Sequence, residues 1–237
     1  MKNWKRILLI TLAVFVGVYA AVMIYLGTYY RVDMDAVYAM SEESGVQFGI
    51  WGDGTRVFEP EGEWDTALIF YPGGKVECYA YWPLMIRCAE NGIACMLVEM
   101  PGNLAVLDVD AAQRVLEHYP ETAHWYLGGH SLGGSMAAAF TADADWVEGL
   151  VLLAAYSTEP VDVPVLSIYG SEDGVMNREK YEQYRGNLPG DFEEHVLEGG
   201  SHAGFGYYGP QKGDGEATIS RDVQIKRTAQ LIAEFLK

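Results

Sequence analysis

Cysteine is scarce in this chain of 237 residues. Its three cysteines form no CxxC pair and have no histidine at ligand spacing, so we expect neither a metal site nor an obligatory disulfide framework. Cys88 falls in an expected helix and Cys95 in an expected buried strand, where thiols are small core residues. A bridge from Cys88 to Cys78 or to Cys95 stays open if the domain faces an oxidising compartment.

Positive charge is scarce outside the first 30 residues. Lys2, Lys5 and Arg6 are three of the 16 basic residues, which leaves 13 basic against 33 acidic residues in the rest of the chain. Such a surface repels phosphate backbones, so nucleic acid is excluded as an expected partner. Because half of the residues are apolar, the chain has enough material for a sizeable core, and its length suits one domain plus an appendage.

Charge of either sign is absent from residues 7–30. As a helix, this run would reach roughly 36 Å, enough to cross a bilayer core of about 30 Å. Trp4 before the run and the tyrosines at its far end fit the aromatic belts of a membrane span. Basic residues precede the run, whereas Asp33 and Asp35 follow it, so the positive-inside rule predicts a cytoplasmic N-terminus.

We therefore predict a single-pass signal anchor in the plasma membrane over residues 1–30, with a folded domain outside the cytoplasm over residues 31–237. A signal peptide cleaved after residues 18–20 is the alternative. The apolar run, however, continues well past the usual length of a cleavable segment.

Strand and helix patterns alternate along the folded domain. Residues 47–60 predict a hairpin around a Gly-Asp-Gly turn. Apolar runs then predict strands at 66–71, 93–99, 124–127, 147–155, 163–169 and 192–197. Helical patterns fall at 79–91, 111–118, 132–141, 178–185 and 220–236. Continuous apolar strands are buried on both faces, which predicts an α/β fold with a mostly parallel central sheet flanked by helices. The short connection 157–162 leaves no room for a lid domain.

The sequence GHSLG at residues 129–133 matches the pattern G-x-S-x-G. It follows an apolar strand and opens an alanine-rich helix, which is the strand–turn–helix setting that the pattern requires. The turn strains the serine backbone, and its neighbours must lack Cβ atoms so that strand and helix can approach. We predict Ser131 as a nucleophile above the N-terminus of the helix.

A serine hydroxyl needs a base, and the base needs a carboxylate to orient it. His202 lies in a glycine-rich loop just after the last strand, at the sheet edge where such sites form. For the other histidines we expect structural or surface roles, with at most a supporting role for His130. The acid should lie between nucleophile and base in the chain, which predicts Asp173. Glu172 is the alternative acid, and either of the two could instead cap the loop.

Two backbone N–H groups are expected to bind the developing oxyanion. One belongs to Leu132, the residue after the nucleophile, and the other to the Pro-Gly-Gly-Lys loop after the first parallel strand. We predict Gly74 in this loop, with Lys75 as the alternative. The loop could also be a plain turn or a phosphate-binding loop, although it lacks the spacing of a P-loop.

Four segments are expected around an open site. Residues 77–82, 101–104 and 205–208 form the expected rim, and the aromatic residues in the first and third of these segments either line an acyl or aryl pocket or pack as ordinary core and surface. The polar, glycine-rich stretch 209–219 is either a loop over the edge of the site or a linker to the last helix.

Several segments together carry a family resemblance: YPGGKVECYAYWPL, VEMPGNLAVLD, GGHSLGG, LSIYGSEDGV and EGGSHAGFGYYGPQKGDG. Through these segments the chain resembles, over about residues 45–237, the compact α/β-hydrolases grouped with dienelactone-hydrolase-like serine esterases. Two of the segments, those that contain PGNLA and YGPQKGDG, resemble one bacterial subgroup. The resemblance implies an α/β-hydrolase fold, a triad of Ser131, Asp173 and His202, and no cofactor. One departure is that dienelactone hydrolases proper use a cysteine nucleophile, where this chain has serine.

The expected activity is hydrolysis of ester or thioester bonds in small to medium acyl substrates, as in carboxylesterases (EC 3.1.1), through an acyl-enzyme. A peptidase or transacylase with the same triad stays open, because pocket shape and water access decide the outcome. A non-catalytic binding protein on the same fold is the alternative from a different class.

Overall fold

The computed structural model describes residues 2–119 and 122–237. Its helices are α1 Lys2–Gly27, α2 Met34–Glu43, α3 Trp82–Glu90, α4 Ala111–His118, α5 Leu132–Thr141, α6 Arg178–Tyr184 and α7 Arg221–Phe235. Its strands are β1 Gln47–Ile50, β2 Arg56–Glu59, β3 Thr66–Tyr71, β4 Ala94–Leu97, β5 His124–His130, β6 Gly149–Leu153, β7 Val165–Gly170 and β8 Glu193–Leu197.

The strands form one eight-stranded sheet in the order β1-β2-β4-β3-β5-β6-β7-β8. The predicted hairpin supplies β1 and β2, which are antiparallel to each other, and β2 is also antiparallel to β4. From β4 to β8 every neighbouring pair is parallel. The carboxyl ends of these six strands therefore share one edge of the sheet, which we call the catalytic edge.

Apolar side chains cover both faces of the sheet. Along β3, Leu68 and Phe70 point into a cluster that includes α3 and α7, whereas Ile69 and Tyr71 point into a cluster that includes α4 and α5. This two-sided burial explains the continuous apolar run of the strand, because successive side chains point to opposite faces. The three cysteines are buried and free.

Helix α1 lies outside this core. Its Trp4–Gly27 part is long and apolar enough to cross a membrane, and none of it is buried. The helix ends three residues before the apolar run does, because Tyr30 forms a parallel β-bridge with Val76 in the folded domain.

Two predicted elements differ from the structure by more than two residues at one end, for local reasons. Strand β5 continues to His130 rather than ending at residue 127, because Gly128, Gly129 and His130 pair with β6. The helix predicted over 79–91 is instead a 3₁₀ turn, Cys78–Tyr81, followed by α3. A proline in the first turn of α3 favours a helix start there. The described residues 154–164, between β6 and β7, contain no helix or strand that would form a lid.

Candidate active site

Ser131 occupies the turn between β5 and α5. Its backbone has φ 52° and ψ −122°, a conformation that residues with side chains rarely adopt. A Cβ atom on Gly133 would lie 2.2 Å from the carbonyl oxygen of Pro72, and one on Gly129 would lie 2.6 Å from the Gly133 backbone. The Ser131 N–H donates to the carbonyl of Leu153 at 2.9 Å. Strand, turn and helix therefore meet backbone to backbone around the serine.

His202 and Asp173 form a buried pair. Asp173 follows β7, His202 follows β8, and Nδ1 of the histidine lies 2.8 Å from Oδ2 of the aspartate. The other carboxylate oxygen accepts hydrogen bonds from the N–H groups of Val175 and Met176. Burial opposes ionisation of Asp173, but His202 and these two N–H groups bring its pKa below the ordinary value. The aspartate is thus an anion at neutral pH, suited to orient the imidazole.

The second ring nitrogen of His202 is not used by the aspartate. In the part of the chain that the structure describes, Nε2 is buried and has no hydrogen-bond partner. The imidazole lies 4.4 Å, centroid to centroid, from the ring of His130, which directly precedes Ser131. A base without substrate commonly lacks its hydrogen bond to the nucleophile and gains it in the reacting complex.

The loops after β7 and β8 approach each other closely. A Cβ atom on Gly170 would lie 2.1 Å from the carbonyl oxygen of Gly200. The same carbonyl accepts a hydrogen bond from the Glu172 N–H at 2.8 Å. The Glu172 side chain is exposed and accepts from Ser171 instead of His202. Of the two candidate acids, the structure therefore brings Asp173, not Glu172, to the base.

Asp214 is a site residue that the sequence analysis missed. Its carboxylate accepts hydrogen bonds from the N–H groups of His202 at 3.1 Å, Ala203 at 2.8 Å and Gly174 at 3.2 Å. The residue thus links the base loop to the acid loop. Stretch 209–219, which contains it, lies over the edge of the site and is more than a linker. No local pattern marks this aspartate, because its three partners lie 11 to 40 residues away.

Gln224 on α7 holds the base loop from another side. Its Oε1 accepts from the Ser201 N–H at 3.1 Å, and its Nε2 donates to the Ser201 carbonyl at 2.8 Å. A Cβ atom on Gly204 would lie 2.0 Å from Oε1, so the loop backbone touches this amide directly. The glutamine is buried, and its two hydrogen bonds satisfy the Ser201 peptide units in the interior.

The two predicted oxyanion donors lie close together. A Cβ atom on Gly74 would sit 2.8 Å from the Leu132 side chain. Among the described residues, neither the Gly74 N–H nor the Leu132 N–H donates a hydrogen bond. The Lys75 N–H, by contrast, donates to the Asn103 carbonyl at 2.7 Å. The geometry thus favours Gly74 over Lys75 as an open donor.

Tyr81 connects this donor loop to the nucleophile turn. Its hydroxyl accepts from the Gly73 N–H at 3.0 Å and lies at hydrogen-bond distance, 2.7 Å, from Nδ1 of His130. Burial, and then the nearby charge of His202, lower the pKa of His130 well below its ordinary value. His130 is therefore neutral, and in the tautomer with its proton on Nε2 its Nδ1 accepts a hydrogen bond from the tyrosine hydroxyl. From the sequence, Tyr81 is predicted only as one of several rim aromatics.

A cleft of about 250 Å³ opens beside Ser131, between the nucleophile turn and the acid loop. Its lining includes Leu132, Ala154, Tyr156 and Met176. None of the six predicted rim aromatics, all of which the structure describes, is part of the lining, and four of them, Tyr81, Trp82, Phe205 and Tyr208, are buried in the core. Larger clefts, of about 290 to 470 Å³, lie away from the serine. Within residues 2–119 and 122–237, no cluster of three His, Cys, Asp or Glu side chains is arranged to hold a metal ion.

Comparison with known proteins gives a family and a fold. The model of a family described as "Alpha/beta hydrolase family" matches residues 67–226. Among solved structures, the crystal structure of TT1662 from Thermus thermophilus is similar, with a TM-score of 0.61 and 16% sequence identity. The similarity covers 81% of this chain and 98% of that one, and at this identity it supports the fold alone. A search of curated proteins finds no match.

Proposed function

Because the chain belongs to the α/β hydrolase family, we propose that it is a serine hydrolase that cleaves ester or thioester bonds of small to medium acyl substrates. The observation that carries the proposal is the buried pair of His202 and Asp173 beside the strained turn of Ser131. An imidazole held at Nδ1 by a carboxylate, with Nε2 free, is the arrangement that activates a serine hydroxyl.

In the proposed mechanism, His202 takes the proton of the Ser131 hydroxyl as the oxygen attacks the substrate carbonyl. The N–H groups of Gly74 and Leu132 stabilise the oxyanion, and Asp173 stabilises the charged imidazole. His202 then donates its proton to the leaving alkoxide or thiolate. Water, deprotonated by the same histidine, hydrolyses the acyl-enzyme.

The cleft bears on the size of the acyl group. Its volume of about 250 Å³ lies below the usual range for drug-sized ligands, which favours a short acyl chain. We further propose, from the sequence segments that resemble them, that the chain belongs with the compact, dienelactone-hydrolase-like bacterial esterases; the absence of a lid in the described residues 154–164 fits a compact member. In the same proposal α1 anchors the protein in the plasma membrane, with the N-terminus cytoplasmic and the domain outside.

Fluorophosphonate labelling of the full chain, analysed by intact mass and peptide mapping, tests this function. We expect labelling at Ser131 that Ser131→Ala abolishes and that His202→Ala slows by about 100-fold or more. Ser41→Ala is the matched control, because Ser41 lies on α2, outside the lining of the cleft, and its hydroxyl donates to the backbone carbonyl of Val37. A folded protein that takes no label would contradict the proposal and favour a non-catalytic binding protein.

A further inference from the structure

The membrane helix enters the folded domain at the loops of the catalytic edge. Nζ of Lys75 donates to the carbonyl of Tyr25 and lies 4.2 Å from the centroid of the Tyr25 ring. A Cβ atom on Gly102 would lie 2.8 Å from the side chain of Leu26, so the two residues are in contact. Lys75 directly follows Gly74, and Gly102 belongs to the loop after β4. The last turn of α1 therefore contacts the oxyanion loop and its neighbour.

The segment after α1 strengthens this attachment. The Tyr30 N–H donates to the Lys75 carbonyl at 2.7 Å, and the Tyr30 carbonyl accepts from the Glu77 N–H at 3.0 Å. The Tyr30 hydroxyl accepts from the N–H of Lys212, in the loop that also contains Asp214. With only two residues between the end of α1 and Tyr30, the domain has little freedom to turn away from the helix.

From these contacts we propose that the catalytic edge lies against the bilayer and that the natural substrate is a membrane-resident amphiphilic ester. Its small acyl group would enter the cleft beside Ser131 while its alkyl part stays in the lipid. This inference rests on the proposed hydrolase function and on α1 as a membrane span.

Exposed apolar side chains on the same edge support this orientation. Val106 and Leu107 are 52% and 55% exposed, in the 3₁₀ turn Ala105–Leu107 that follows the Gly102 loop. Exposure of two adjacent large aliphatic side chains is unfavourable in water, whereas their insertion among lipid headgroups and upper acyl chains is favourable.

Charge near the membrane fits as well. The domain is strongly acidic, yet Arg31, Lys75 and Lys212 lie around the end of the helix, together with the acidic Asp33, Asp35 and Glu77. The Arg31 guanidinium stacks over the ring of Tyr29 at 4.9 Å. Basic and aromatic side chains of this kind are typical of the membrane–water interface.

The orientation is measured with the full chain in phosphatidylcholine vesicles. A fluorophore that is sensitive to quenching by nitroxide-labelled lipid is attached at Leu107→Cys and, as matched control, at the exposed Asp162→Cys before β7. The three native cysteines are buried and should not react. We expect strong quenching at position 107 and only background quenching at 162. Equal quenching at the two positions would overturn the proposal.

The substrate class is tested with two acetates. Hexadecyl acetate is embedded in the vesicles, 4-nitrophenyl acetate is supplied in solution, and acetate release is measured for each. For the double variant Val106→Asp/Leu107→Asp we expect about a tenfold or greater loss of kcat/KM on the embedded ester and no change on the soluble one. An unchanged rate on the embedded ester would contradict the proposal. Absence of fluorophosphonate labelling at Ser131 would instead contradict the hydrolase function, while the quenching experiment still reports the orientation.

Discussion

The nucleophile turn and the base loop sit side by side, but different forces hold them in place. Around Ser131 the contacts are steric, because Gly129, Gly133 and Gly134 each touch backbone atoms of neighbouring segments. Around His202, polar side chains hold the loop by hydrogen bonds. Asp214 accepts from the N–H of His202, and the Gln224 amide bonds to the N–H and the carbonyl of Ser201.

The difference predicts how each region fails. Backbone atoms in contact cannot move aside, so a methyl group added in the turn should disrupt the fold of the whole sheet edge. Hydrogen bonds can be lost one at a time, so damage to the base loop should leave a folded protein whose histidine is poorly placed.

The largest effect is expected from Gly133→Ala. The new Cβ atom would lie 2.2 Å from the Pro72 carbonyl oxygen and 2.3 Å from that of Tyr71, both of them backbone atoms. We expect a loss of about 3 kcal/mol in the free energy of unfolding, measured by urea denaturation in detergent. Gly190→Ala is the control, because a Cβ atom there meets nothing within 4 Å. Equal stability of the two variants would refute the steric account of the turn.

Asp214→Ala should act on rate more than on stability. Losing the acceptor for three N–H groups lets the base loop shift, and a displacement of about 1 Å can cost about 100-fold in kcat. We expect KM to change little and Asp214→Asn to recover part of the rate, since an amide oxygen still accepts. The exposed Asp191→Ala is the control. A loss of stability without a fall in the kcat of the folded enzyme would indicate a merely structural role.

The smallest effect concerns His130, where the two regions touch. The folded state holds its pKa below the ordinary 6.5, so the unfolded chain binds the proton first as pH falls. The contribution of neutral His130 to the free energy of unfolding is therefore complete above pH 6.5. Below that pH this contribution declines, by at most about 1.4 kcal/mol per pH unit. Urea unfolding between pH 7.5 and 5.5 should show a flatter pH dependence for His130→Gln than for wild type or for the variant of the half-buried His195, His195→Gln. If the free energy of unfolding depended on pH equally in all three proteins, this explanation would be wrong.

Much of the fold could be predicted because its signals are local. The predicted bounds of β3, α4 and α5 agree with the structure, since each has a clear apolar pattern and a breaker at its ends. Strand β5 was predicted too short because glycine lacks a strand signal, and only pairing with β6 makes Gly128 and Gly129 part of the sheet.

Parts of the candidate site could also be predicted from the sequence. The turn around Ser131 can be recognised in the sequence because its geometry depends on glycines within a few residues of the serine. The positions of Asp173 and His202 follow from the rule that sites lie at the carboxyl ends of parallel strands.

The sequence by itself therefore determined the α/β architecture, the apolar N-terminal segment and the three triad candidates, since periodicity, length and motif are local properties. Only the tertiary structure decided that Asp214, Gln224 and Tyr81 support the site, and that α1 joins the domain beside the oxyanion loop. These contacts join residues that are 8 to 76 positions apart in the chain. Their pairing depends on how the strands and loops are arranged in space, which no short segment specifies.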